Sequence, residues 1–300
     1  MLKVAWSEKY ILPLPPNHRF PMSKYEVLPQ QLIHEGTLSG DNFFAPAPAD
    51  EKEILKTHDA DYWHRLKNLE LSNQEIRRTG FPLTRELVDR EIIIAQGTID
   101  CTKFSLQHGI ALNIAGGTHH AFTDRGEGFC LLNDMALAAN YLLNNQLVKK
   151  ILIIDLDVHQ GNGTAQIFQH DPRVFTFSMH GANNYPLHKE KSDLDIALPD
   201  HTDDKSYLIL LDRHLKELMN NERPDFIFYQ SGVDVLATDK LGRLALTREG
   251  CKKRDKFVLN IARQTKTPIV VSMGGGYSPD FRDIIEAHAN TYRLAQEIFF

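Results

Sequence analysis

Ile151-Leu152-Ile153-Ile154-Asp155-Leu156-Asp157-Val158-His159-Gln160-Gly161-Asn162-Gly163 opens as an apolar, β-branched run and ends in two acids, an imidazole and a glycine-rich turn. The run has strand composition with no polar alternation, as in a strand buried on both faces. If the chain stays extended beyond it, Asp155, Asp157 and His159 occupy alternate positions and project to one side. Two carboxylates and an imidazole at a buried strand end are costly without a cation. Taken alone, the stretch could also be a surface turn with capping residues. A dinucleotide loop is excluded, because Gln166 stands where a third glycine is needed and the two acids would repel phosphate.

Working outward, comparable runs recur at Ile110–Ile114, Val174–Phe177, Phe226–Tyr229 and Ile269–Val271. Helical periodicity marks Leu132–Leu143, Tyr207–Met219 and Phe257–Ala262. Apolar strands alternating with helices predict an α/β fold in three layers, a mostly parallel β-sheet with helices on both faces. The first hundred residues read as largely helical, with connectors at Pro13–Pro16 and Pro46–Pro48. No repeat, low-complexity segment or linker divides the chain, so residues 1–300 are expected to form one domain.

In open α/β sheets, sites form beyond the carboxyl ends of the strands. Three other runs end in informative residues. Ala115-Gly116-Gly117-Thr118-His119-His120-Ala121 places two histidines in a glycine-rich loop, suited to metal ligation, to proton transfer or simply to solvation. Phe226-Ile227-Phe228-Tyr229-Gln230-Ser231-Gly232-Val233-Asp234 ends in an acid that, alone, reads equally as a cap or turn residue. Ile269-Val270-Val271-Ser272-Met273-Gly274-Gly275-Gly276-Tyr277 sets a tyrosine after three glycines, with no P-loop lysine following.

The bulk properties narrow the function class. A 300-residue chain with 42% hydrophobic and 24% charged residues can bury a large core beneath a soluble surface. Its formal net charge of −5 offers no general cationic field for a nucleic acid, although a small basic rim would not show in that sum. Cys101, Cys130 and Cys251 lie far apart and read as reduced thiols, neither a disulfide framework nor a cysteine zinc site. The N-terminus lacks a signal-peptide apolar core, and no apolar run approaches the roughly 20 residues of a membrane helix. The expectation is a cytoplasmic protein with neither nucleic acid nor membrane as partner.

Taken together, His-His, Asp-x-Asp-x-His, Asp and Gly-Gly-Gly-Tyr at successive strand ends resemble the histone deacetylase superfamily, which includes acetylpolyamine amidohydrolases and acetoin-utilisation proteins. The resemblance extends to Gly126-Glu127-Gly128-Phe129-Cys130-Leu131-Leu132-Asn133-Asp134 and to His58-Asp59-Ala60-Asp61-Tyr62. The compact length, the segment around Asp157 and Lys189-Glu190-Lys191-Ser192-Asp193-Leu194-Asp195 look most like the small class IV branch.

That resemblance implies an arginase/deacetylase-like fold and a catalytic zinc, with ferrous iron as an alternative, held by Asp157, His159 and Asp234. It further implies His120 as general base and acid, His119 as its electrostatic support and Tyr277 as donor to the oxyanion. Asp155 would orient His119, and Asn162 would orient His120. Gly128, Phe129 and Tyr185 would line the substrate tube. A structural potassium ion would bind the backbone of Asp155, Asp157, His159 and Met179 together with Ser178. The implied substrate is an acyl-lysine in a protein or an acylated small amine, with longer acyl chains expected to react better than acetyl. An arginase-like ureohydrolase and a non-catalytic acyl-amine-binding scaffold are the competing readings.

Overall fold

A computed structural model describes residues 1–300. The strands are β1 (Lys3–Ala5), β2 (Phe43–Phe44), β3 (Ile110–Asn113), β4 (Ile151–Asp155), β5 (Val174–Gly181), β6 (Leu194–Leu198), β7 (Phe226–Gln230) and β8 (Ile269–Ser272). The helices are α1 (Lys24–His34), α2 (Glu51–Ile54), α3 (Ala60–Lys67), α4 (Asn73–Thr79), α5 (Arg85–His108), α6 (Asp134–Asn144), α7 (Asn162–Phe168), α8 (Asp204–Glu222), α9 (Arg248–Thr265) and α10 (Phe281–Phe299).

The eight strands form one sheet in the order β2-β1-β3-β8-β7-β4-β5-β6, and every pairing is parallel. The central strands are buried throughout, which is why they read as unbroken apolar runs. Their alternation still sorts the two faces. Leu152, Ile154, Ile227, Tyr229 and Val271 pack into the larger core with α1, α8, α9 and α10. Ile151, Ile153, Phe226, Phe228 and Val270 pack on the other side against α6 and the second half of α5.

All five apolar runs are strands, and the three periodic segments lie in α6, α8 and α9. The edge strands β2 and β6 and the three-residue β1 beside β2 escaped the sequence reading because they are short or half exposed and lack a continuous apolar run. The first hundred residues are helical as expected, apart from β1 and β2, and both proline-rich stretches lie outside helices and strands. No helix is long and apolar enough to cross a membrane. The three cysteines are free and buried, and burial raises their thiol pKa values, leaving them poor nucleophiles.

The sheet order determines where chemistry can occur. Strands β3, β8, β7 and β4 are consecutive neighbours. Their terminal residues Asn113, Ser272, Gln230 and Asp155 are register partners in a single row. The loops that follow them therefore leave the sheet side by side at one end.

Candidate active site

At that end, Asp157, His159 and Asp234 are buried and their ligating atoms lie within 4.8 Å of one another. The chain does not stay extended as the sequence reading supposed. Strand β4 stops at Asp155 and the backbone bends, because Asp155 Oδ1 accepts from the Asp157 N–H (3.1 Å) and Asp157 Oδ1 from the His159 N–H (3.0 Å). Two successive Asx-type turns replace the extended ladder. They send Asp155 to a different partner from Asp157 and His159.

His159 Nδ1 lies 3.0 Å from Asp157 Oδ1 and 3.1 Å from Asp234 Oδ2. The remaining carboxylate oxygens are held by backbone donors: Gly275 N–H to Asp157 Oδ2 (2.9 Å) and Val158 N–H to Asp234 Oδ1 (3.0 Å). Gly275 permits this approach, since a Cβ there would come within 2.0 Å of Asp234 Oδ2 and 2.8 Å of Asp157 Oδ2. Burial opposes an imidazolium, yet the hydrogen bonds to Asp157 and Asp234 raise His159 to about 10. Burial, and then the Asp157 charge, raise Asp234 to about 7. Two carboxylates converging on one imidazole nitrogen need positive charge between them, which a divalent cation would supply. The donor set fits a metal.

The histidine loop follows β3. His119 Nδ1 donates to Asp155 Oδ2 and His120 Nδ1 to Asn162 Oδ1, both at 2.6 Å. An amide or carboxylate oxygen only accepts, so both rings carry their proton on Nδ1 and leave Nε2 free. The two environments then diverge. For His119, burial is outweighed by the Asp155 charge and the pKa rises. For His120, burial and the neighbouring His119 and His159 push the pKa well below its usual value.

Tyr277 follows the triple glycine, with its N–H donated to Asp239 Oδ2 (2.6 Å). Burial holds its hydroxyl well above the usual tyrosine pKa, so it remains a proton donor. Its ring lies 6.0 Å from Phe129 and 6.4 Å from His159, centroid to centroid. Phe129, Gly128, His120, His159, Tyr185 and Tyr277 all line one outer cavity of about 300 Å³. Tyr185 packs edge-on against His120 at 4.9 Å and donates its hydroxyl to Glu127 Oε2 (2.8 Å). A smaller inner cavity of about 40 Å³ continues past Gly128, Phe129 and Tyr277 to Phe20, Tyr25 and Arg90. At the other side of the bend, Ser178 is the register partner of Asp155 and Gly181 N–H donates to Val158 O (2.9 Å). This packs the Asp157–His159 bend against the β5 segment that carries Ser178 and Met179.

The remaining motif residues brace this arrangement. His58 bridges Phe122 O (2.9 Å) and Asn133 N–H (3.0 Å), while Tyr62 donates to Leu131 O (2.9 Å). Together they pin the loop that presents Gly128 and Phe129. Asp134 accepts from Thr118 N–H (2.8 Å), Thr98 Oγ1 (2.6 Å) and Ser272 Oγ (3.2 Å), tying the histidine loop to β8. Phe20, Lys24 and Asp239 were not identified from sequence, and Glu127 was noted only as part of the Gly126–Asp134 segment, without its contact to Tyr185. Lys24 is buried, donates to Gly274 O (3.0 Å) and is lowered by burial to about 8.

Residues 18–292 match the family model described as a histone deacetylase domain. An uncharacterised protein of Picosynechococcus sp. is 40% identical over 296 residues, covering 99% of both chains. Histone deacetylase 2 of Arabidopsis thaliana is 30% identical over 270 residues, 87% of this chain and 70% of the plant protein. The crystal structure of an HDAC homolog from Aquifex aeolicus superposes with a TM-score of 0.84 at 23% identity, covering 98% of this chain and 84% of that one. An HDAC homolog complexed with SAHA gives a TM-score of 0.85 at 23% identity, covering 99% and 84%. The structural likeness bears on the fold: the arginase/deacetylase-like three-layer architecture is the one observed.

Proposed function

The chain belongs to the histone deacetylase family, and on that premise we propose that it is a metal-dependent deacylase acting on an N-acylated amine such as acyl-lysine. The observation that carries this reading is the convergence of Asp157, His159 and Asp234 beside an inner cavity lined by Asp157, His159, His120 and Tyr277. Asp157, His159 and Asp234 would hold zinc or ferrous iron, which when bound polarises the acyl carbonyl and acidifies a water. His120, neutral and with Nε2 free, accepts a proton from the nucleophile and returns it to the departing amine. His119, whose pKa Asp155 raises, and His159 both disfavour a positive charge on His120 and so favour its neutral form. Tyr277 donates its hydroxyl to the developing oxyanion. Gly128 and Phe129 line the approach, with Tyr185 at the outer wall. A potassium ion bound by the backbone of Asp155, Asp157, His159 and Met179 with Ser178 would brace the bend from behind.

An arginase-like reading fits less well. Asp155 is turned toward His119, so the acids and histidines do not assemble a second ligand set. The inner cavity also changes the expected acyl preference. A volume of about 40 Å³ accepts about three water-sized groups, which suits acetyl or a slightly longer acyl chain. Longer chains gain no apolar burial there and meet the wall. A series of acyl-lysine peptides from acetyl to myristoyl is expected to peak in kcat/KM at two to four carbons, roughly the cavity's capacity. A rise toward the long-chain end would overturn this preference, and no hydrolysis of any member by metal-loaded protein would overturn the deacylase reading.

A further inference from the structure

The mouth of the cavity has a composition that the deacylation chemistry does not require. Arg19, Arg78 and Arg243 line it beside Asn183, Tyr185 and Leu241, and no carboxylate does. The three arginines are exposed on a chain whose formal net charge is −5. They come from separate regions: the segment before α1, the last turn of α4 and the loop after β7.

These positions are held in place. His18 Nε2 contacts Gly80 O at 2.9 Å and Phe20 packs against Phe81 and Phe129 at 5.1 Å, so the backbone on both sides of Arg19 is anchored. The Arg19 guanidinium lies over the Phe129 ring at 4.9 Å, at the lip of the tube. Arg78 Nη1 is 3.8 Å from Glu127 Oε1, but Glu127 already accepts from Arg125 Nε (2.9 Å) and from Tyr185 (2.8 Å). Arg243 has Asp200 at 3.2 Å, outside the cavity lining. Positive charge therefore remains at the entrance.

We propose that this mouth selects acylated amines that carry a carboxylate close to the scissile amide, recognised by Arg19, Arg78 and Arg243. The inference rests on the deacylase reading and narrows its substrate class. A guanidinium pairs with a carboxylate through parallel N–H donors. An acylated polyamine, or a lysine set among basic residues, meets three like charges instead. The carboxylate can be an acidic side chain flanking an acyl-lysine or the α-carboxylate of a free acyl-lysine.

The test measures Kd by calorimetry, and kcat/KM alongside it, for the full chain. The ligands are acetyl-lysine peptides flanked by Glu, Gln or Lys, free and amidated Nα-blocked acetyl-lysine, and N-acetylspermidine. Glu-flanked peptide is expected to bind roughly tenfold more tightly than Lys-flanked peptide at low salt, with the ratio shrinking as salt rises. A gain confined to free over amidated acetyl-lysine assigns the carboxylate to the amino acid itself and also supports the proposal. The triple variant R19Q/R78Q/R243Q should bring the ratio near one. Equal affinities throughout, tightest binding of N-acetylspermidine, or a ratio that survives the triple variant would each overturn the proposal. The Kd ratio decides this point even if no ligand is hydrolysed, an outcome that would strike the deacylase reading alone.

Discussion

At the floor of the site, Asp157 and Asp234 are buried, and each of their four oxygens has a partner within 3.1 Å. At the mouth, Arg19, Arg78 and Arg243 are exposed, and only Arg243 has a carboxylate closer than 3.8 Å. The floor gathers negative charge out of water, where interactions are strong and geometry is over-determined. The mouth gathers positive charge in water, where each interaction is weak and screened. Buried charge sets which reaction can occur, and exposed charge sets which molecule arrives.

If that contrast holds, substitutions at the floor should be far more damaging than any at the mouth. Asp157→Ala or Asp234→Ala removes one of three convergent donors. Either variant should lose bound divalent metal by elemental analysis and at least roughly a thousandfold in kcat/KM. Metal retained at full stoichiometry in both variants would break the comparison, because the buried acids would then not be the ligands.

Tyr277→Phe probes the boundary between the two regions, since Tyr277 lines both the inner cavity and the mouth. The variant keeps the ring packing against Phe129 and removes only the hydroxyl. A fall in kcat of roughly 10²–10³ is expected with metal content unchanged. A change confined to KM would move Tyr277 from the chemistry to substrate holding.

Asn162→Asp sharpens the contrast within the floor itself, where two adjacent histidines have different orienting partners. Asn162 is neutral, and His120 sits well below the ordinary histidine pKa because of burial and its two histidine neighbours. A general base must be unprotonated, so activity is lost as pH falls through its pKa. A carboxylate at position 162 favours the imidazolium and raises that pKa. The acidic limb of the kcat/KM profile should therefore move to higher pH by about one unit. An unmoved limb would assign it to a group other than His120.

The elements legible in advance were those with a continuous local pattern. Strands β3, β4, β5, β7 and β8 are buried on both faces and announce themselves as apolar runs, and α6, α8 and α9 have a periodic apolar face. The half-exposed β6 and the short β1 and β2 carry no such signal, because their stability comes from neighbours rather than from their own composition. The paired histidines, the three convergent donors and Tyr277 were legible as chemical types placed after strand ends. Phe20, Lys24 and Asp239 were not, since nothing in their immediate neighbours distinguishes them from ordinary core or surface residues.

The sequence by itself determined the residue types available for catalysis and the strand ends that carry them. Only the tertiary structure decided that Asp155 serves His119 instead of extending the ligand row, because two side-chain-to-backbone hydrogen bonds turn the chain where period-two alternation assumed a strand. It also decided that Arg19, Arg78 and Arg243 meet at one mouth on a chain of net charge −5. The turns themselves are local, two residues each, but the contact of Asp155 with His119 and the meeting of the three arginines depend on the fold bringing together segments separated by tens to hundreds of residues.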